Sequence, residues 1–491
     1  MALEGQGATT APEAGGDPRR WKALAVLGVA YLMVVLDVSI VNVALPSIQS
    51  ELDFTTEDLQ WVVSGYALTF GGFLLLGGRM GDLLGRRRLF MVGLALFSVS
   101  SLLCGLSVSS GMLIAMRLLQ GAAGAILSPS VFSITLVTFE EGAERNKALG
   151  VLGAIAGSGA AIGVLLGGVL TEYAGWEWIF FVNVPIGLAA LALVPRYVRE
   201  SRAADLARHF DAAGAVTVTA SLMLFVFGLT QSTNYGWTSA RVLGSLAGSA
   251  VLMAAFLVIE ARSHSPLVPL GFFKRRTLAG ANLIGFGLGT TIFGMFFLLS
   301  LYMQIVLGFS ALETGLGYLA VALTAVAASG VAQALVTRIG VKPVLAAGMM
   351  LLGVGLLLFT QVSVDGSYLA DLLPGFILVG VGLGFSFVPV SIAALAGVAG
   401  REAGLASGLI NTSQQIGGAL GLAILTTVST TRTDNLTAPG QQPSLGALVD
   451  GYSLAFWVAV GFAAISLVIT LLILKREDLA PAPEPAEAPT S

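Results

Sequence analysis

Residues 77–90 read GGRMGDLLGRRRLF, placing one aspartate, Asp82, and four arginines, Arg79, Arg86, Arg87 and Arg88, between two apolar runs. Charge is scarce elsewhere. Only 11% of the 491 residues are Asp, Glu, Lys or Arg, against about a quarter in an ordinary soluble domain, and 56% are apolar, above the usual ~45–50%. A soluble core of this size would need a charged surface that this chain cannot supply. Apolar runs of about 20 residues match instead the ~30 Å of hydrocarbon that a helix must cross. The quoted stretch therefore reads as a polar turn between two membrane spans, and the rest of the chain can be parsed outward from it.

Runs of bilayer length predict fourteen spans, at 22–45, 59–77, 88–107, 111–138, 147–170, 177–195, 212–230, 241–260, 278–302, 314–337, 342–361, 370–395, 404–429 and 452–474. An even number puts both termini on one side. With the termini inside, all but three of the 25 Lys and Arg residues fall in cytoplasmic segments. The exceptions are Arg117, within a span, and Arg241 and Arg432, outside. One span too many or too few would invert every later loop, so the charge pattern supports the count as well as the orientation. The run from Ala23 to Leu45 is too long for a signal peptide and reads as the first span.

Several function classes drop out. The single cysteine, Cys104, lies in an apolar run, and the two histidines, His209 and His264, lie in polar connections, so neither a disulfide nor a metal site is expected. There is no phosphate-binding loop ending in Gly-Lys-Ser/Thr, no His-Glu-x-x-His and no triad, so no enzyme is expected. No cofactor and no nucleic-acid partner are called for. The 62 glycines fit a tightly packed helix bundle.

The chain also repeats. QGAAGAILSP and AERNKALG around the fourth and fifth spans are echoed by VGVGLGFSFVP and REAGLASG around the twelfth and thirteenth. Pro129 and Pro389 are 260 residues apart, Gly150 and Gly408 are 258, and Gly85 and Gly340 are 255. A shared offset argues for duplication, with spans one to six matching nine to fourteen and spans seven and eight inserted. The resulting division is a tail (1–21), a six-helix half (22–195), a linker with two additional helices (196–277), a second half (278–476) and a disordered tail (477–491). Two parallel repeats around a central site is an architecture of secondary transporters. The predicted class is thus an all-α polytopic membrane protein with two six-helix pseudo-symmetric halves plus two inserted helices.

Gly78, Asp82, Gly85, Arg86 and Arg87 resemble the loop signature of the major facilitator superfamily, with Met80 and Leu83 departing from it. LDVSIVNVALP (36–46), RLLQGAAGAILSP (117–129) and GWEWIFFVNVPIG (175–187) are similar to the 14-span drug:proton antiporter branch. The resemblance implies the major facilitator fold with 14 transmembrane helices, both termini cytoplasmic, in a bacterial cytoplasmic membrane. It implies alternating-access export of hydrophobic or amphiphilic drugs or antibiotic-like metabolites, with the proton as coupling ion and the chain working as a monomer in the lipid bilayer. Proton-coupled uptake, or lipid carriage on the same fold, is the alternative.

Particular residues follow. Asp37 lies mid-span, where a charge costs on the order of 3 kcal/mol on insertion scales, so it is either the coupling carboxylate or an Asp satisfied by neighbours such as Asn42. Arg117 is the one basic residue well inside a span; the resemblance gives it to proton coupling, and a structural ion pair or snorkelling is the other reading. Gln120, three residues on, shares its helix face. Asn42, Gln120, Asn282, Phe286, Phe293 and Gln415 are expected to line a substrate cavity. Gly159, Gly163 and Gly167, with Gly168 beside them, form a smooth stripe, although Val164 stands where the antiporter signature has proline. Conformational gating is assigned to these four glycines and to Gly78, Asp82, Gly85, Arg86 and Arg87. In that group Asp82 is expected to latch the halves through the positive N-terminus of the thirteenth span.

Overall fold

The computed structural model describes residues 19–139, 143–201, 211–263, 266, 271, 275–395, 403–438 and 441–474. Fifteen α-helices follow one another among them: α1 (Arg20–Glu51), α2 (Thr56–Leu84), α3 (Arg86–Gly105), α4 (Ser110–Thr138), α5 (Ala143–Ala174), the short α6 (Trp178–Phe181), α7 (Asn183–Tyr197), α8 (Ala212–Tyr235), α9 (Ala240–Arg262), α10 (Arg276–Leu301), α11 (Ala311–Ile339), α12 (Val341–Phe359), α13 (Leu373–Leu395), α14 (Ala403–Leu436) and α15 (Leu445–Ile473). Single π-helical turns at Tyr302–Val306 and Tyr368–Leu372 extend α10 and precede α13. Each expected span overlaps a helix, the sixth being broken at Val182 into α6 and α7. Ten of the helical stretches are long and apolar enough to cross a membrane. An all-helical answer is what a bilayer enforces, because backbone groups in hydrocarbon must be satisfied within the segment.

The turn that opened the sequence reading is tighter than expected. α2 runs on to Leu84, so Gly78 and Gly81 are helical and the connection to α3 is the single residue Gly85, at φ 112°. Gly340 does the same between α11 and α12, at φ 90°. These φ values suit glycine alone, which explains why this pair keeps the repeat offset. Gly77 serves packing: a side chain there would run into the backbone of Ala125 on α4. Glu200, beyond α7, accepts from the Arg87 and Arg88 backbone N–H groups at 3.1 and 3.2 Å, setting a carboxylate on the positive end of α3. The Asp82 side chain and residues 396–402 lie outside the described residues, so the expected latch does too. The connection expected over 430–451 is also shorter, since α14 reaches Leu436 and α15 starts at Leu445, capped by Ser444.

The repeat is visible in the packing. In the first bundle α1 lies on α5, α2 on α4, and α3 on α4 and α7; in the second α10 lies on α14, α11 on α13, and α12 on α13 and α15. The bundles meet along two seams, α2 with α14 and α5 with α11. α8 docks on both α2 and α14, with α9 against its outer side, so the inserted pair covers one of the two seams.

The bundles are joined mainly at one end. Ile40, Val43, Leu45, Ile48 and Phe54, from the end of α1 near the α1–α2 connection, share an apolar cluster with the core of the second bundle. Toward the other end, Leu24, Leu27, Phe90, Val131 and Val194 form a cluster drawn from the first bundle alone. The cleft between the bundles is therefore closed beside the α1–α2 connection.

Candidate functional site

Asp37 and Arg117 meet. Arg117 Nη1 stands 2.6 Å from Asp37 Oδ2, and the two residues are 1% and 0% exposed. The carboxylate's second oxygen accepts from Gln120 Nε2 at 2.7 Å and from Asn183 Nδ2 at 3.2 Å. Arg117 also donates through Nη1 to Gln120 Oε1 at 2.6 Å and through Nε to the Val62 carbonyl at 2.8 Å. Its guanidinium carbon lies 4.4 Å from the centre of the Tyr66 ring and 5.6 Å from that of Phe180. Ser101 accepts from Gln120 and Asn183, at 3.2 and 3.0 Å, and donates to the Phe180 carbonyl at 2.9 Å.

Six helices of one bundle thus converge on one charge pair: α1 supplies Asp37, α2 Tyr66 and Val62, α3 Ser101, α4 Arg117 and Gln120, α6 Phe180 and α7 Asn183. Removing two charges from water costs several kcal/mol per ion, so a pair this buried persists only with nearly every donor and acceptor satisfied. Here the carboxylate has three donors, and the guanidinium has three acceptors and two ring contacts. Such a site can hold or release one proton at Asp37, and doing so changes what Arg117 and Asn183 are bonded to. Open polar capacity remains beside it, because Asn183 Oδ1 and Tyr66 Oη are buried without partners.

Among the described residues the second bundle has no such site. Positions 292–297 and 372–377, at the repeat offset from Asp37 and Arg117, are apolar. Phe296, Tyr318, Phe376 and Phe359 fill that volume, with ring centres 4.9, 5.5 and 5.3 Å apart in succession.

The cavity residues fare unevenly. Gln120, expected in the cavity, is fully buried within the ion-pair network, because its amide is needed to bridge Asp37 and Arg117. Asn282 is 4% exposed and ties α10 to α14, donating to the Leu278 carbonyl and accepting from Ser413. Asn42 donates to the Val38 and Ser39 carbonyls and keeps a buried Oδ1 without a partner. Phe286, Phe293 and Gln415 are partly exposed; Phe286 and Phe293 lie against Gly417 and Gly418 of α14, and Gln415 lies against Gly71 at the α2–α14 seam.

The glycine stripe divides in two. Side chains at Gly159, Gly163 and Gly167 would meet Val35, Ser39 and Ile40 of α1, within the same bundle. Gly168 faces the other bundle, where a Cβ would stand 2.9 Å from the Ala311 carbonyl oxygen. Arg87 and Arg88 lie 3.9 and 3.8 Å from Glu200, and Arg86 donates its backbone N–H to Ser201 at 3.0 Å.

Asn183, Ser101 and Tyr66 were not anticipated. Asn183 carried a usable signal, as the one amide in the apolar run of the sixth span; Ser101 is hidden among the serines of SVSSLLCGLSVSS.

Two pseudo-symmetric six-helix bundles about a cleft, with one buried ion pair, define a polytopic secondary transporter. The profile of the Major Facilitator Superfamily matches residues 27–422, and the chain belongs to that superfamily. It is 39% identical to the puromycin resistance protein pur8 of Streptomyces alboniger, over 94% of this chain and 91% of that one. It is also 39% identical to the cephamycin export protein CmcT of Amycolatopsis lactamdurans, over 92% of this chain and 91% of that one. A crystal structure of a bacterial homologue of the human lysosomal transporter Spinster, inward-facing and unoccupied, matches in fold with a TM-score of 0.68 at 15% identity, over 95% of this chain and all of that one.

Proposed function

We propose that the protein exports hydrophobic or amphiphilic antibiotic-like compounds across the bacterial cytoplasmic membrane in exchange for protons. Its similarity along nearly the whole chain to resistance and export proteins supports the direction and the compound class. The observation that carries the coupling is the fully buried Asp37–Arg117 pair, confined to one bundle. All fourteen helical stretches cross the membrane with both termini inside, as the basic residues require. The closed end of the cleft is then the outside. Residues 22–195 and 278–476 rock about the cleft, 196–277 forms the inserted pair, and one chain suffices. Asn42, Gln120, Asn282, Phe286, Phe293 and Gln415 are the substrate contacts, and Asp82 the latch used when the inside closes.

The energetics are sufficient. One proton entering down 100 mV supplies about 2.3 kcal/mol, enough for a roughly forty-fold gradient of a neutral compound. A monovalent cation exchanged one for one moves no net charge and is driven by the pH gradient alone. Ethidium and puromycin efflux from cells expressing the protein is therefore expected to stop on adding a protonophore. Proton-driven accumulation in place of efflux, or no flux of either compound with the protein in the membrane, would overturn the assignment.

A further inference from the structure

The surroundings of Asp37 are complete for a carboxylate and incomplete for the acid. An ionised carboxylate only accepts, and Arg117, Gln120 and Asn183 each give it an N–H. Once protonated, the same group carries an O–H that needs an acceptor, in a site that is fully buried. The neighbours can be taken in turn. Arg117 is a donor only. Gln120 Oε1 already accepts from Arg117 Nη1 at 2.6 Å and faces Cys104 Sγ at 3.6 Å. Ser101 Oγ already accepts from Gln120 and from Asn183. The Tyr66 hydroxyl has no partner, but it is turned toward Gly124, one turn beyond Gln120 on α4. What remains is Asn183 Oδ1, which is buried and makes no hydrogen bond.

Asn183 is placed to use that oxygen. It is the first residue of α7, and its Nδ2 stands 3.2 Å from Asp37 Oδ1, while Arg117 holds the other carboxylate oxygen. Half a turn of the side-chain amide about its last bond puts Oδ1 where Nδ2 now is, with no movement of the backbone. Gln120 cannot turn in the same way, because Arg117 holds its oxygen. In either setting one end of the Asn183 amide is unpaired: the oxygen while Asp37 is ionised, the nitrogen while it is protonated. The two settings are thus balanced, and the state of Asp37 selects between them. An unpaired polar atom in a buried site calls for such a reason.

We propose that Asn183 is the positioning residue for the proton on Asp37, inverting its amide as the proton arrives and holding the acid O–H through Oδ1. The proton stays on Asp37, and Asn183 receives only a hydrogen bond. This rests on the reading of Asp37 as the proton-coupling carboxylate. The charged and titratable side chains around Asp37 are Arg117 from α4, Tyr66 from α2 and Cys104 from α3. Leucine at 183 would keep roughly the volume of asparagine and remove both of its roles. It takes one of three donors from the carboxylate but the sole acceptor from the acid, so the proton should bind less readily.

Infrared difference titration of the purified protein in lipid nanodiscs reads this directly. A carboxylic-acid band that Asp37→Asn lacks reports the proton on Asp37. In Asn183→Leu that band should change frequency and reach half-height at an about ten-fold higher proton concentration, toward the lower end of what a buried hydroxyl without an acceptor costs. An amide that only packs would leave both readings unmoved. In wild-type protein labelled isotopically at the asparagine side-chain carbonyl, a label-sensitive band should fall in frequency over the same titration, as Oδ1 gains a hydrogen bond, and should stay still in Asp37→Asn. That measurement needs no variant at 183 to fold. A half-point that Asn183→Leu leaves unmoved or shifts to lower proton concentration, or an asparagine carbonyl that does not respond, overturns the proposal and leaves the coupling reading standing. No Asp37-dependent acid band at any pH the folded protein tolerates overturns the coupling reading, and the role of Asn183 falls with it.

Discussion

Asp37→Asn is expected to abolish proton-driven efflux: the roughly forty-fold gradient that one proton at 100 mV can sustain for a neutral compound collapses to none. The asparagine keeps the volume of aspartate but cannot titrate, so the loaded and unloaded states become the same state. It also leaves Arg117 buried without a countercharge, with neutral partners alone: the new amide oxygen, the Val62 carbonyl, Gln120 Oε1 and the Tyr66 and Phe180 rings. Breaking one partner of a buried pair costs about 3–5 kcal/mol, so part of any lost flux would be lost protein. Adding Arg117→Gln removes the stranded cation. The double variant should regain membrane abundance and thermal stability relative to Asp37→Asn while staying inactive. Counterflow, the exchange of labelled for unlabelled substrate without net proton movement, should persist in the double variant. Protonophore-sensitive efflux surviving in Asp37→Asn would move the coupling to another residue.

The second large effect separates two glycines five residues apart. Leucine at 163 would drive its side chain into Ser39 and the Leu36 carbonyl of α1, and backbone cannot give way as a flexible side-chain tip can. Gly163→Leu should therefore fail at folding, with little protein extracted in the mild detergents that preserve the wild type. Leucine at 168 instead presses on Ala311 and Leu312 of the other bundle. Gly168→Leu should fold, because separating the bundles at that end is one of the motions alternating access requires. Its outer ends should be held apart, so that a membrane-impermeant thiol reagent added outside labels a cysteine at Val43 in this variant and spares the same cysteine in the wild-type background. Equal labelling in the two backgrounds would show that the α5–α11 contact does not hold the outer end shut. Gly163→Leu appearing at wild-type levels would dismiss the packing argument for the stripe.

Much of this was legible in the residues. Bilayer-length runs located the helices because the hydrocarbon leaves no other backbone solution, and the offset of Gly85 from Gly340 held because both turns demand a positive φ. Asp37 and Arg117 stood out through the cost of burying charge, and Gln120 through its spacing. Their meeting was not legible, since α1 and α4 are brought together by tertiary packing that no local pattern encodes. The same limit hid Asn183 and Ser101, whose roles come from what they face. Helical spacing puts Gln120 on the face of Arg117, but does not say whether that face looks into a cavity or into a neighbouring helix. The stripe on α5 illustrates the point again, as a period of four residues shows smoothness while saying nothing of which bundle it touches.

Cys104 has a practical consequence. The chain's only cysteine is fully buried on α3, with Sγ 3.6 Å from Gln120 Oε1. Thiol reagents need an accessible thiolate, and this sulfur offers no access. The native chain is thus already a silent background for fluorophores and spin labels attached at introduced surface cysteines. The customary first step of replacing the native cysteine would do harm here. A serine hydroxyl is a stronger donor than a thiol and would compete with Arg117 for the same Gln120 oxygen, disturbing the site the labels are meant to report on.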